Sequence, residues 1–372
     1  MDRPRRQIRR WPWVAATVLL GLVVVIWAIL PDGRAGRVER YADCFRPADV
    51  PPVETLADGR KAMRLRILLW NVEGLPWPIR SGRGEKLEHI ADWIAKRRAD
   101  GDGPDILILH KAFTPDASRV AVAGGYRSIV PGPAIDQTRT LQSHPQPTGY
   151  ADKGHWSKGE HLGKWLDSGL YIATDLPVLA IAAEPFAPDS CAGFDCLANK
   201  GGLAMRVAVP GAPAPLTLFN THRNSREPSG VAIDRAELAH RMQTQENDYL
   251  ASRIGYEDAA WIAAGDFNNY RLGDRKGRFA RDRNDFRLVA KGDGLAARPA
   301  EMTDLSAWAG ASDLLGFKSS EDMRVEPLAV ATLFDSKNGP RLSDHDAQYI
   351  VFRISWRGDA PAMPIPLPRC SR

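Results

Sequence analysis

The sequence predicts one α/β domain, built from stacked mixed β-sheets covered by helices and preceded by one membrane-spanning helix. Three observations predict it. Seven short apolar segments are bounded by glycine, proline or polar clusters, two longer segments have helical periodicity, and an uncharged run of 20 residues lies near the N-terminus. Many strands joined by a few long helices are typical of a sandwich with its helices on the outside.

The strand and helix predictions follow from apolar alternation and from helical spacing. The predicted strands are Arg64–Trp70, Asp105–His110, Gly169–Thr174, Gly202–Val209, Leu216–Thr221, Ala260–Ala264 and Gln348–Ile354. The predicted helices span 85–98, with one face formed by Leu87, Ile90, Ala91 and Ile94, and 232–254, with Leu238, Met242, Tyr249 and Leu250. Residues 131–168 have no periodicity and hold several lysines, histidines and tryptophans; they are either a solvated loop or a loop that faces substrate or membrane. The polar, basic stretch 271–300 is interpreted as surface.

Composition excludes several classes of protein. Of 372 residues, 44% are hydrophobic and 26% are charged, which is unlike a disordered tail, a collagen or a disulfide-dense miniprotein. The net charge of +5 comes mainly from the first 30 residues, which hold five arginines and one aspartate; the other 342 residues carry 45 basic and 44 acidic side chains. The main domain is therefore near neutral, and specific nucleic-acid binding is not expected.

The N-terminal run predicts a membrane anchor. Residues 11–30 contain no charge and span about 30 Å as a helix, which is enough to cross a bilayer. A cleaved signal peptide is the alternative, but the run is long for one and no clear small-x-small cleavage site follows it. The five arginines before the run predict a cytoplasmic N-terminus. We therefore expect a single-pass inner-membrane protein whose main domain lies outside the cytoplasm.

The four cysteines fit an exported domain. Cys191 and Cys196 are five positions apart, a spacing that a small disulfide loop can close, and Cys44 and Cys370 would join the two ends of the exported part. Zinc binding is the alternative, but no C-x2-C or paired-histidine spacing accompanies them. The predicted organisation is a cytoplasmic basic segment (1–10), the anchor (11–30), a linker (31–62), the domain (63–356) and a proline-rich tail (357–372).

Polar residues with catalytic potential follow five of the apolar segments, where strands run out into loops. The five polar segments are Trp70–Gly74, Phe219–His222, Ala264–Asn268, Ala311–Leu314 and Leu342–His345. Alone, each is more typical of a turn than of a site. Five of them in one chain predict one shared cleft.

The order and content of these segments resemble the endonuclease/exonuclease/phosphatase superfamily over about residues 63–355. Asn71–Trp77, Ser168–Ala173 and Asp195–Gly201 are most similar to its neutral sphingomyelinase branch. The resemblance implies a DNase I-like fold, a four-layer sandwich of two stacked mixed sheets flanked by helices. It also implies phosphodiester hydrolysis and a Mg²⁺ ion held by Asn71 together with a glutamate on the next strand.

Phosphodiester hydrolysis requires an activated water and neutralisation of charge on the phosphoryl oxygens. We expect His345 to accept the proton of the water, with the adjacent Asp344 orienting its ring, and His222 to donate hydrogen bonds to the phosphate. In the family, Asp266 and Asn268 position the nucleophile and the phosphate, and Asp313 matches a family aspartate before the last strands. We also expect Lys111, Lys200 and Asn220 to contact the substrate.

The chain departs from the family at the metal position, where Lys111 stands in place of the ligand glutamate. A divalent-cation site with few carboxylates loses much of its attraction when one ligand changes sign. Either activity is lost, or the ammonium of Lys111 replaces the charge of the metal. Glu73, two residues after Asn71 and so expected on the same strand face, is the alternative metal ligand or the partner of Lys111.

Three functions remain open. The leading hypothesis is a monomeric, membrane-anchored phosphodiesterase or phosphatase that acts on a phospholipid head group, with Mg²⁺ as an uncertain cofactor. The second is a catalytically silent protein that binds a phosphorylated ligand or a partner. The third, a nuclease, is disfavoured by the near-neutral domain, because duplex binding depends on several contacts between basic side chains and phosphates.

Overall fold

The computed structural model describes residues 36–142, 147–268, 287–288, 312–337 and 339–370. The predicted anchor at 11–30 and most of 271–300 lie outside these ranges, so those two predictions stay open. Within the described ranges, no helix has the length and apolar character needed to cross a membrane.

Thirteen strands and three α-helices are described, together with several short 3₁₀ turns. The strands are β1 (Val53–Thr55), β2 (Lys61–Gly74), β3 (Ile106–Ala112), β4 (Ser128–Pro131), β5 (Tyr171–Thr174), β6 (Val178–Pro185), β7 (Gly201–Val207), β8 (Leu216–His222), β9 (Ala260–Asp266), β10 (Arg287–Leu288), β11 (Asp313–Lys318), β12 (Arg324–Leu333) and β13 (Ala347–Trp356). The helices are α1 (Arg83–Ala99), α2 (Pro115–Ala123) and α3 (Ile233–Arg253). All seven predicted strands and both predicted helices are confirmed, with shifted ends.

The strands form two mixed sheets. The first has the order β12-β13-β2-β3-β5-β4, with β1 added beside β2, and the second has the order β10-β11-β9-β8-β7-β6. Each sheet contains one parallel pair, β2 with β3 and β8 with β9; the other pairs are antiparallel. The carboxyl ends of the two parallel pairs carry Asn71, His110, His222 and Asp266.

Side-chain alternation along β2 explains the layers. Leu65, Ile67 and Leu69 point into an apolar core shared with Leu203 and Ile262 of the second sheet. The intervening side chains Leu68, Trp70 and Val72 point to the opposite face. The two sheets therefore stack face to face, as the period of two along a strand dictates.

Helices cover the outer face of each sheet. Leu87, Ile90 and Ile94 of α1 and Val120 of α2 pack on the first sheet, and Leu250 of α3 packs on the second beside Phe219 and Trp261. The order is helix, sheet, sheet, helix, as expected for the predicted sandwich.

The ends of the domain are tied together. Cys44 and Cys370 form a disulfide with a Cα–Cα distance of 5.0 Å, and Cys191 and Cys196 form one at 5.3 Å, so both predicted pairings are present. The segment predicted as a linker behaves differently from residue 36 onward: β1 pairs with β2, and Phe45 exchanges backbone hydrogen bonds with the tail. The disulfide and these pairings hold it on the domain. The tail itself is irregular, as predicted.

Candidate active site

The two sheets meet at one edge, where the predicted polar residues converge. Asn71 at the end of β2 donates a hydrogen bond of 2.9 Å from Nδ2 to Oδ2 of Asp266 at the end of β9, which links the sheets. In the second sheet, Asp266 stands opposite both His222 and Asp313. The turn that carries His345 is fixed on β2, because Trp70 Nε1 donates to the carbonyl of His345 at 3.0 Å.

His345 is oriented by Asp313 and not by Asp344, which corrects the sequence-based expectation. Nδ1 of His345 makes a short hydrogen bond to Asp313 Oδ2, whereas Asp344 Oδ1 lies 3.9 Å from the other ring nitrogen, Nε2. The reason is geometric: a neighbour in sequence need not face the ring, while β11 brings Asp313 directly to it. The side chain of His345 is 18% exposed, so Nε2 is open to the cleft.

The ionisation of this pair follows from its contacts. Burial lowers the pKa of His345, but the charge and hydrogen bond of Asp313 outweigh it and raise that pKa to about 9. Burial likewise raises the pKa of Asp313, and His345 more than compensates, so the Asp313 pKa lies well below its ordinary value. Near neutral pH the pair is an ion pair.

His110 is a site residue that the sequence did not indicate beyond its place beside Lys111. It is fully buried, its Nε2 bonds Asn220 Oδ1 at 2.5 Å, and its Nδ1 lies 3.5 Å from Asp313 Oδ1. Neither Nδ1 nor Asp313 Oδ1 has a hydrogen-bond partner among the described residues. The two atoms face each other within ion-pair distance.

Asp266 and Asn268 form a local hydrogen-bonded unit. The backbone N–H of Asn268 donates to Asp266 Oδ1 at 3.2 Å, and Nδ2 of Asn268 donates to the carbonyl of Arg223 at 2.8 Å. Asn268 has a φ of 50°, so the segment is not extended there and the two side chains do not simply share one face. Asp266 is nevertheless central, since it also lies 3.5 Å from Nε2 of His222.

His222 is held by Lys200 through its Nε2 atom. Lys200 Nζ donates to Nε2 of His222 at 3.1 Å and to the carbonyl of Arg223 at 3.2 Å, and it forms a close ion pair with Asp195. Burial and then the nearby cations Lys200 and Lys111 hold the pKa of His222 well below its ordinary value. His222 is therefore neutral with its proton on Nδ1, which has no hydrogen-bond partner within the described chain.

Two residues expected to contact substrate are bonded to protein instead. All three hydrogens of the Lys200 ammonium have the protein acceptors just named. Asn220 is fully buried; its Oδ1 accepts from His110, and its Nδ2 donates to the carbonyls of Leu109 and Tyr171 at 3.3 and 3.2 Å. Both side chains support the site from behind. Asp195, the anchor of Lys200, was not predicted, although it opens the Asp195–Gly201 motif.

Glu73 does not reach the metal position. A register irregularity lies between Asn71 and Gly74, and Glu73 has a φ of 50°, so the alternation that would place it beside Asn71 is broken. Its carboxylate instead pairs with Arg80 at 2.7 Å and with Arg83 at 3.4 Å. Glu73 is therefore neither the partner of Lys111 nor positioned as a replacement ligand.

Lys111 faces the cleft and pairs with Asp344. The distance from Nζ to Asp344 Oδ2 is 3.8 Å, and the Lys111 side chain is largely buried. Glu73, the partner expected from the sequence, is occupied by two arginines instead. Asp344 thus contributes to the site through Lys111 and not as the orienting carboxylate of His345.

The residues at the family's metal position do not fit a divalent cation, because Lys111 supplies an ammonium and Asn71 Oδ1 accepts the N–H of Glu73 at 3.2 Å. A second group does fit. Asp266, Asp313 and His345 each offer a ligand atom, and these atoms lie within 4.8 Å of one another. Carboxylates and imidazole suit divalent ions. These three residues could hold a metal ion.

A cavity of about 380 Å³ lies beside the site and is lined by none of its predicted residues. Its walls include Tyr150, Lys164, Cys196 and Asn199.

No protein-family model and no curated protein sequence matches the chain. Among solved structures, a variant of beta toxin from Staphylococcus aureus with bound magnesium ions is 17% identical, with a TM-score of 0.51 over 77% of this chain and 99% of that one. SmcL is 16% identical, with a TM-score of 0.51 over 78% and 99%. An endonuclease/exonuclease/phosphatase from Beutenbergia cavernae DSM 12333 is 14% identical, with a TM-score of 0.48 over 81% and 73%.

At these identities the similarity establishes the fold. It agrees with the two stacked mixed sheets and their outer helices. The resemblance predicted from the sequence is confirmed at the level of the fold: the chain shares the DNase I-like fold of beta toxin and SmcL.

Proposed function

We propose that this protein is a monomeric, membrane-anchored phosphoric ester hydrolase that acts outside the cytoplasm on a phospholipid head group. The observation that carries the proposal is the convergence of Asn71, His222, Asp266, Asp313 and His345 on one edge of the two sheets, although 274 positions separate the first from the last. A base, a neutral donor and a cation face one cleft.

The residues divide the work of hydrolysis. His345, in its neutral form, takes a proton from a water through Nε2, and Asp313 stabilises the imidazolium that forms. The water oxygen then bonds to phosphorus while the bond to the leaving alkoxide breaks. The alkoxide takes up a proton from solvent water, and the imidazolium of His345 later releases its proton to solvent. The ammonium of Lys111 is the available donor for the phosphoryl oxygens, and Nδ1–H of His222, which is buried but has no partner among the described residues, is the second.

The ammonium of Lys111 supplies one fixed positive charge where the family would place a cation. If a divalent ion such as Mg²⁺ binds, Asp266, Asp313 and His345 are the residues that would hold it, and it would polarise a phosphoryl oxygen there. Loading would compete with the proton on His345, because metal ligands must be deprotonated.

A silent binding protein is the second candidate, and one observation favours it: the family's carboxylate position is a lysine, and Glu73 is held away by Arg80 and Arg83. Such a protein would use the same cleft to hold a phosphorylated ligand. A nuclease remains disfavoured by the near-neutral domain.

The anchor supports a lipid substrate, because it keeps the cleft near a membrane surface. The test is hydrolysis of a panel of phosphodiesters, including phospholipids, sphingomyelin and nucleic acid, by the full chain in detergent micelles. Each substrate is assayed with Mg²⁺, Mn²⁺, Ca²⁺ or EDTA. Head-group release that His345→Ala abolishes is expected. Binding of a phosphorylated ligand without hydrolysis of any ester would favour the silent protein.

A further inference from the structure

We propose that an exposed aromatic face, formed by Trp156, Leu162, Trp165 and Phe194, docks the domain on a lipid bilayer that carries anionic lipid. The proposal adds to the proposed function a second membrane contact besides the anchor. It rests on that function only in taking a membrane as the partner, since docking requires no turnover.

All four side chains of this aromatic face are exposed to solvent. Their exposed fractions are 72% for Trp156, 42% for Leu162, 44% for Trp165 and 48% for Phe194. Single exposed apolar side chains are common, but four in two adjoining short segments are not.

Polar groups that point inward hold the surrounding segment in place. Glu160 is buried and accepts from the backbone N–H of His155 at 2.5 Å and of Gly193 at 2.9 Å, and it pairs with Arg235 at 2.7 Å. The backbone N–H of Trp165 donates to the carbonyl of Leu197 at 2.7 Å. A charged residue fixes the loop from inside while its tryptophans face solvent, the reverse of ordinary burial.

The two segments contact each other through Lys158 and Phe194. Nζ of Lys158 lies 5.8 Å from the centroid of the Phe194 ring, and Trp156 belongs to the same 3₁₀ turn as Lys158. Lys153 and Lys158 are exposed in the first segment, and the exposed acids are Asp152 in the first segment and Asp189 before the second. Tryptophan and phenylalanine flanked by lysines suit the headgroup region of an anionic bilayer.

The aromatic face lies near the part of the chain that follows the proposed anchor. Arg37 pairs with Asp167 at 3.5 Å, and Asp167 is two residues from Trp165. The predicted anchor ends at residue 30, so the seven residues up to Arg37 reach at most about 24 Å when fully extended. With that anchor in a membrane, this part of the domain would stay close to the membrane surface.

The aromatic face also adjoins the cleft. Phe194 precedes Asp195, which pairs with Lys200, and Lys200 donates to His222. Docking through this face would bring the cleft to the lipid head groups.

The test uses the full chain reconstituted in vesicles of phosphatidylcholine and phosphatidylglycerol. All four native cysteines are in disulfides, so one added thiol is the labelled position. Trp156→Cys and, as a second position, Trp165→Cys are labelled with an environment-sensitive fluorophore. Val53→Cys is the matched control: Val53 is 41% exposed and apolar, and it lies at the end of the first sheet remote from the site, because it pairs with Met63 early in β2.

We expect a blue shift and quenching by spin-labelled lipid at positions 156 and 165, and neither at position 53. We also expect a smaller effect in vesicles of phosphatidylcholine alone. The proposal would be overturned if the labels at positions 156 and 165 were as accessible to water as the label at position 53. Protection that needs no lipid and grows with protein concentration would also overturn it, in favour of a contact with a second copy of the chain. Because the readout is lipid contact, an inactive enzyme that still docks leaves this inference standing.

Discussion

Lys111→Glu is the substitution that best separates metal-independent from metal-dependent chemistry. It restores the ligand type that the family pattern has at this position and removes the cation that faces Asp344. We expect the native protein to hydrolyse its ester equally well in EDTA and in Mg²⁺. We expect Lys111→Glu to acquire dependence on Mg²⁺.

The magnitude follows from the distances around Lys111. Two unit charges 3.8 Å apart attract by about 4 kcal/mol at an effective dielectric constant of 20, but Asp344 is 37% exposed, so the net contribution of the pair is nearer 1 kcal/mol. The substitution turns this attraction into repulsion. It also removes a positive charge that lowers the pKa of His345 and of His222, so both pKa values should rise. Without added metal, we therefore expect a large loss of rate with little loss of stability.

The assay pairs hydrolysis with calorimetric titration of Mg²⁺, so that binding is read independently of turnover. Lys111→Gln is the matched control, because it removes the ammonium without adding a carboxylate, and it should lose rate without gaining Mg²⁺ affinity. If the native protein loses all activity in EDTA and recovers it with Mg²⁺, Lys111 does not replace a metal. The metal then belongs to Asp266, Asp313 and His345 and not to Glu73, whose carboxylate is held by arginines.

Three further predictions concern the same site. His345→Asn should lower kcat by about 10²–10⁴ at an unchanged melting temperature, and His89→Asn, on the exposed face of α1, should leave kcat unaltered; equal effects would refute the assigned base. Because Asp313 holds the pKa of His345 at about 9, the rate without added metal should rise with pH up to about 9, and Asp313→Asn should move this inflection to lower pH; an unmoved pH–rate profile would contradict the pairing. Asp195→Asn should destabilise the protein by about 3–5 kcal/mol in denaturant titrations, because it leaves the ammonium of Lys200 buried without a counter-ion. Burial raises the pKa of Asp195, but Lys200 lowers it by more, so the net pKa lies below its ordinary value. The stabilisation by Asp195 is therefore present at neutral pH and is lost as the pH falls. If Asp195→Asn destabilised the protein by the same amount in acid, this explanation would be wrong.

Regular alternation made much of the fold predictable. The central strands β2, β3, β8 and β9 are long apolar runs with clear ends, and α1 and α3 have continuous apolar faces. The missed elements are short or mixed: α2 has nine residues, and β6 is only partly buried, so neither produces a strong periodic signal. The disulfides were predictable because the expected export and the spacing of the four cysteines left few alternatives.

The site was predictable in its membership but not in its pairings. Polar residues at strand ends identified His222, Asp266 and His345, because the edge of a sheet collects such residues whatever their distance in sequence. Which carboxylate orients His345 depends on the register between β9 and β11, and sequence adjacency favoured the wrong one. Glu73 is displaced from the side of Asn71 by a register irregularity in β2, and no pattern in the sequence predicts that irregularity.

Backbone strain adds a second argument that the cleft is functional. Three non-glycine residues at its rim, Glu73, Lys111 and Asn268, have φ values of 50–51°, a region that costs of order 1–3 kcal/mol for each such residue. Each of them turns a side chain away from the regular strand direction: Glu73 towards two arginines, Lys111 towards Asp344, and Asn268 towards the carbonyl of Arg223. The strain at Lys111 is the most informative, because an extended backbone there would send its side chain elsewhere. A chain that had merely lost a metal ligand would have no need to hold an ammonium in the cleft against such a cost. The geometry therefore favours Lys111 as a working part of an active site over Lys111 as the mark of a silent one.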